Sequence, residues 1–231
     1  MIIPSEELFN NETFVVNKDM KVETIETSVA KITIIDDFYE DIDSVIDQVD
    51  KLPVTKIWNH DPNNNKTYFD GRKVYCNNMK GSLLPYSVDG TLINIVSEII
   101  GYPSNSIDID PENTKLLVNC FKFTDELNLK DHYYGAHRDP YMRNSIGQVA
   151  LVIFLNRNYE EGEGMNFYDG YIESDHTHLR KKDALPVVKR IQGKCNRAVL
   201  FDSKFTHGQH TPTDQFKKEM RYTQVIFLSL M

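Results

Sequence analysis

Hydrophobic and polar positions change their rhythm near the middle of the chain. Over residues 40–52 the apolar positions Ile42, Val45, Ile46, Val49 and Leu52 recur at the three-and-four spacing of an amphipathic helix, which Pro53 stops. A second helix is expected over residues 91–100, with Asp89 near its start and Gly101 just past its end. Residues 13–16 and 30–35 read as short β stretches, and the Asn-, Asp- and Pro-rich residues 59–65 read as a loop.

Beyond Pro111 short strands separated by turns take over. Candidates are 115–124, 148–156, 164–168, 186–191, 197–202 and 221–230. The second carries the unbroken apolar run from Val149 to Leu155, as expected of a strand covered on both faces. The last alternates, with Arg221, Thr223, Val225 and Phe227 on one face and Tyr222, Gln224, Ile226 and Leu228 on the other. Helices first and many short strands after predict a mainly β, α+β fold: a jelly roll backed by N-terminal helices. One domain is expected over residues 1–231. Residues 1–112 would supply N-terminal strands and supporting helices, and 113–231 the half that carries the candidate chemistry.

Composition narrows the function. A hydrophobic share of 40% and a charged share of 26% suit a globular protein. The formal net charge of −8 argues against a broad nucleic-acid surface. Arg180, Lys181, Lys182, Lys189, Arg190, Lys194 and Arg197 form a locally basic stretch, read as a solvated loop and strand edge. No apolar run is long enough to span a bilayer, and the first residues lack a signal-peptide pattern, so no membrane partner and a cytoplasmic location are expected. Cys76, Cys120 and Cys195 have neither disulfide nor zinc-type spacing, and Cys120 reads as a core residue.

Against that background His137-Arg138-Asp139 stands out. In extended backbone His137 and Asp139 point the same way, while Arg138 points elsewhere and Pro140 favours a turn. A hard carboxylate oxygen beside an imidazole nitrogen suits Fe(II), Mn(II) or Zn(II). A third ligand is expected from His207, which follows the strand at 197–202 and its turn, with His210 as the alternative. His176 and His178 lie in a polar stretch and read as exposed. Arg221 follows His207 by 221 − 207 = 14 positions and offers a fork that pairs bidentately with a carboxylate. Thr223, on the same face, is placed to donate its hydroxyl to that carboxylate.

At these residues the chain resembles the 2-oxoglutarate- and Fe(II)-dependent oxygenases, nearest to their prolyl-hydroxylase-like branch. The resemblance is carried by Ala136-His137-Arg138-Asp139-Pro140, LVIFLN (151–156), EGEGMNFY (161–168), NRAVLFDSKFTHG (196–208) and RYTQVIFL (221–228), preceded by ITIIDDFYED (32–41). It implies a double-stranded β-helix core. In such a core His137, Asp139 and His207 hold Fe(II), and Arg221 with Thr223 anchors the distal carboxylate of the cosubstrate 2-oxoglutarate. The implied reaction uses O2 to hydroxylate a C–H bond of a peptide side chain or small metabolite, releasing succinate and CO2, with no catalytic residue apart from the metal ligands. Asp139 separates the chain from the family's halogenases, which lack this carboxylate. Two departures stand: a longer His207-to-Arg221 gap filled by the polar residues 211–219, and Gly162-Glu163-Gly164 where relatives often carry paired glycines. The competing readings are a non-catalytic jelly-roll binding module and a zinc hydrolase using the same His-Asp-His set. An intact triad argues against the first, and Arg221 has no use in the second.

Overall fold

The Val149-to-Leu155 run is covered on both sides because its alternating side chains enter two different cores. Val149, Leu151 and Ile153 join a cluster with Val45, Val49, Leu92 and Val96 of the helices. Ala150, Val152 and Phe154 face Met165, Phe167, Ile191 and Phe201. Period-two alternation therefore places the strand between a helical layer and a second sheet.

The computed structural model describes residues 11–52, 54–58, 68–75, 91–109, 116–123, 132–134, 136–139, 145–170, 179–181 and 185–231. In chain order the first elements are β1 (Lys21–Glu26), β2 (Lys31–Asp36), α1 (Ile42–Lys51), β3 (Val54–Trp58), β4 (Tyr68–Tyr75) and α2 (Thr91–Ile100). Then come β5 (Ile107–Ile109), β6 (Leu116–Phe123), β7 (His132–Tyr134), β8 (Gly147–Phe154), β9 (Gly164–Tyr168) and β10 (Leu179–Lys181). The chain closes with β11 (Val187–Gln192), β12 (Ala198–Asp202), β13 (His207–His210), α3 (Gln215–Lys218) and β14 (Arg221–Leu230). The protein is mostly β and its sheets are antiparallel. The main sheet runs β1-β2-β12-β8-β14-β6-β4-β3, with β5 also on β14; the smaller sheets are β11-β9-β13 and β10-β7.

Local chemistry accounts for the helix ends. Asp41 caps α1 by accepting from the Ser44 amide at 3.1 Å and the Ser44 hydroxyl at 2.7 Å. Gly101, at φ +67°, takes the left-handed conformation that ends α2 without a Cβ clash. Residues 53, 59–65 and 89, singled out in the sequence, lie outside the described residues.

One expectation fails. Residues 13–16 do not form a strand: Asn11–Phe14 is a 3-10 turn, and Val16 makes only an isolated bridge to Tyr39. Phe14 is held instead by burial, its ring edge-on to Tyr39 at 5.8 Å. Burial of Phe14 and Val16, with the Asn17 amide donating to the Phe38 carbonyl at 2.8 Å and the Glu40 amide to the Val15 carbonyl at 3.0 Å, fixes this segment in place of a strand. The edge strand β1 had no signal in the sequence, because its side chains are almost all exposed and only its pairing with β2 defines it. Among the described residues no helix is long and apolar enough to cross a membrane.

The basic stretch is partly consumed internally. Arg197 grips Asp36 with Nε at 2.7 Å and Nη2 at 2.9 Å, and Lys194 reaches the same carboxylate at 3.1 Å. Arg197's hydrogen bonds hold the Asp36 carboxyl below its usual range against the opposing effect of burial, with Lys194 adding to them. Residue 182 lies outside the described residues.

Candidate metal centre

The centre begins with a reciprocal backbone pair. The His137 amide donates to the His207 carbonyl at 2.8 Å, and the His207 amide donates to the His137 carbonyl at 2.9 Å. The Asp139 amide then donates to the Ser203 carbonyl at 2.9 Å, and Arg138 Nε to the Thr206 hydroxyl at 3.2 Å. This zipper lays the 137–139 segment along the turn between β12 and β13. His137 and Asp139 thereby point toward His207, as the i, i+2 spacing predicts.

The ligand atoms of His137, Asp139 and His207 all lie within 4.8 Å of one another. His137 Nε2 is 3.5 Å from Asp139 Oδ1, and His207 Nε2 is 3.5 Å from Asp139 Oδ2. The two imidazole centroids are 4.4 Å apart. Two ligands of one first-row ion, each at about 2.1 Å, stand roughly 3.0–3.4 Å apart, so a small closure seats a metal here. His210, three residues on, falls on the opposite face of β13 from His207. His176 and His178 lie outside the described residues.

The tautomer of His207 follows from its surroundings. Its Nδ1 is 2.8 Å from the Phe205 carbonyl, which only accepts, so Nδ1 carries the proton. Burial, followed by the His137 charge, lowers its pKa to about 4, so the ring is neutral near pH 7. Its bare Nε2 lone pair then faces a carboxylate oxygen with no hydrogen between them. Burial pushes the Asp139 carboxyl up, but the hydrogen bond from His137, with the electrostatic influence of the two neighbouring imidazoles, outweighs it and leaves the carboxyl below its ordinary range. Two lone pairs held face to face are unfavourable unless a cation lies between them. That is the fit of this ligand set to a metal. Exposure falls across the set, from 52% for the His137 side chain to 17% for Asp139 and 7% for His207, so approach is from the His137 side.

Arg221 and Thr223 are buried on the β14 face that looks toward the small sheet. Arg221 Nη1 donates to Gln209 Oε1 at 3.2 Å and Nη2 to the Gly164 carbonyl at 3.3 Å, while its Cζ lies 5.8 Å from the Phe154 ring centre. Its Nε, fully buried, has no acceptor among the described residues. Burial lowers its pKa from the ordinary value, while Tyr159 and Glu163 oppose that shift. Gly164 is a requirement of the close approach: a Cβ there would stand 2.0 Å from the Ile191 carbonyl oxygen.

The sequence missed three contributors. Gln209 lies two residues from His207, on the same face of β13, and was hidden because His207–His210 (HGQH) does not read as a strand. Glu163, fully buried, accepts from the Thr213 amide at 3.0 Å and its hydroxyl at 2.5 Å. Burial pushes its carboxyl up. The third is Phe216 of α3, inside the long 211–219 segment: it packs on Tyr159 (5.9 Å), which packs on Phe154 (5.5 Å) beneath Arg221.

No family model and no curated protein matches the chain. Solved structures align over part of it. AviO1 from Streptomyces viridochromogenes Tue57 aligns at 17% identity and a TM-score of 0.37, covering 60% of this chain and 56% of its own. EvdMO1 aligns at 13% identity and 0.48, covering 90% and 55%. HygX from Streptomyces hygroscopicus, crystallised with nickel, 2-oxoglutarate and hygromycin B, aligns at 10% identity and 0.48, covering 87% and 83%. The matches thus span little more than half the length of the first two proteins.

Proposed function

We propose that the protein is a 2-oxoglutarate- and Fe(II)-dependent oxygenase with a double-stranded β-helix (jelly-roll) core, acting on a C–H bond of a peptide side chain or a small molecule. The observation that carries this reading is a bare imidazole nitrogen facing an ionised carboxylate at 3.5 Å, with a buried guanidinium nearby in the fold whose Nε lacks an acceptor. Two histidines and one carboxylate on one side of an ion leave positions open for a cosubstrate and O2. When bound, Fe(II) with 2-oxoglutarate and O2 supplies the oxidising chemistry that replaces hydrogen by hydroxyl, with succinate and CO2 as co-products.

The chain's own residues do the rest. His137, Asp139 and His207 would hold the ion, and the Phe205 carbonyl fixes the His207 ring so that Nε2 is always the presented nitrogen. Arg221 would take the distal carboxylate of 2-oxoglutarate in a buried, water-poor setting where a charge-assisted pair is strong, with Thr223 on the same face. A zinc hydrolase would leave the Arg221 Nε without a role, and a binding module would not need the opposed lone pairs. The same proposal takes residues 1–231 as one domain, with 113–231 as the catalytic half, and a reducing, cytoplasmic setting that keeps iron ferrous.

The test is anaerobic titration of Fe(II)-loaded protein with 2-oxoglutarate. A weak visible charge-transfer band is expected, together with succinate release when pooled peptides and metabolites are supplied in air. No cosubstrate-dependent band in a protein that binds iron would overturn the reading.

A further inference from the structure

Among the described residues six buried side-chain atoms have no hydrogen-bond partner: Gln48 Oε1, Asn119 Oδ1, Gln148 Oε1, Glu163 Oε2, Gln209 Nε2 and Arg221 Nε. Only the last two are donors, and they belong to residues that are bonded to each other. Arg221 Nη1 donates to Gln209 Oε1 at 3.2 Å. A guanidinium has no acceptor, so the amide cannot be turned round: Oε1 must face Arg221 and Nε2 must point away from it. The oxygen and nitrogen of one amide are roughly 2.2 Å apart, which keeps Nε2 beside the guanidinium.

Gln209 also shares a face of β13 with His207, two residues and about 6.6 Å of strand away. Its register partner on β9 is Met165, as that of His207 is Phe167, and both of these line the core between the sheets. Val225 and Phe227, on the Arg221 face of β14, pack against that same core. The amide therefore stands between the metal ligands and the guanidinium, with its hydrogens uncommitted.

We propose that Gln209 is a second anion-binding arm of this site, its amide nitrogen and Arg221 Nε together taking one carboxylate, and that it makes the site selective for a keto acid with a charged far end. The inference rests on the cosubstrate reading above and adds the residue that discriminates. One carboxylate oxygen accepts from Arg221 and the other from the Gln209 amide, so both buried donors are satisfied by a single group. A keto acid without that carboxylate would leave both unmatched.

The experiment is calorimetric titration of Ni(II)-loaded protein with 2-oxoglutarate, its 5-amide and pyruvate, on wild type, Gln209→Met and Gln209→Glu. Ni(II) affinity itself should be unchanged in both variants. Gln209→Met should weaken 2-oxoglutarate about tenfold or more, the loss of one hydrogen bond to a charged group, and leave pyruvate as it was. Gln209→Glu keeps an acceptor for Arg221 but replaces the amide donor by an anion, so the preference should invert toward the 5-amide. If Gln209→Glu fails to fold, Gln209→Met decides. Wild-type affinity for 2-oxoglutarate in Gln209→Met, or an unchanged order of ligands in a folded Gln209→Glu, overturns the proposal while leaving the cosubstrate reading intact. Failure of wild type to bind 2-oxoglutarate at all overturns both.

Discussion

His207 Nε2 and Asp139 Oδ2 face each other at 3.5 Å with no proton between them, because the His207 proton is committed to the Phe205 carbonyl on the other side of the ring. This opposed pair is stable only because the backbone zipper at His137 and the turn at Ser203 hold both groups in place. The geometry stores a preference for a cation.

Metal should therefore stabilise the fold. A divalent ion at about a hundred times its dissociation constant adds about 2.7 kcal/mol. For a chain of this size that is roughly 5–10 °C in Tm. Differential scanning calorimetry with Co(II) or Ni(II) checks this, and His207→Ala should show no metal-dependent rise.

Asp139→Asn should separate metal binding from stability. An asparagine nitrogen turned toward His207 Nε2 replaces a lone-pair conflict by a hydrogen bond worth about 1 kcal/mol. The expected outcome is a metal-free variant at least as stable as wild type in urea that no longer gains from metal. A strongly destabilised variant would contradict the tautomer assigned to His207.

Acid should weaken the metal-free protein in a defined window. The folded pKa of His207 is lowered from 6.5 to about 4, so the unfolded chain takes up its proton first as pH falls. Its contribution to stability is complete above about 6.5 and is lost progressively as pH falls toward about 4, at a slope of up to about 1.4 kcal/mol per pH unit. Asp139, whose carboxyl is also lowered, adds a loss in the same direction below its own unfolded range. Urea midpoints measured between pH 7 and 4 should show a shallower fall in His207→Gln than in wild type.

Arg221→Ala should lose 2-oxoglutarate by two orders of magnitude or more, since breaking one side of a buried charge pair costs about 3–5 kcal/mol. Arg221→Lys should recover only part of this, because an ammonium lacks the fork. Calorimetry on Ni(II)-loaded protein reads both, with Ni(II) affinity as the internal control.

Phe216→Ala tests whether the long 211–219 segment supports the guanidinium. Phe216 is fully buried and contacts Tyr159, whose ring in turn lies on Phe154 beneath Arg221. A loss of about 3–5 kcal/mol of stability is expected. Cosubstrate affinity should fall further than metal affinity, since the stack ends on the Phe154 ring that lies under Arg221.

The amino-acid order alone determined what depends on neighbours a few residues apart. The period of α1 and α2, the doubly buried run in β8, the alternation of β14 and the shared direction of His137 and Asp139 all follow from backbone repeat and side-chain polarity. Tertiary structure decided what depends on partners far along the chain. The face of β13 set which of His207 and His210 meets the carboxylate, and whether Gln209 reaches Arg221. Register across β9, β13 and β14 is chosen by packing of two sheets, and a one-residue slip would turn each of these side chains to the other side. The edge strand β1 and the turn at Phe14 were illegible for the same reason: one exists through pairing and the other through burial, and neither leaves a period in the text.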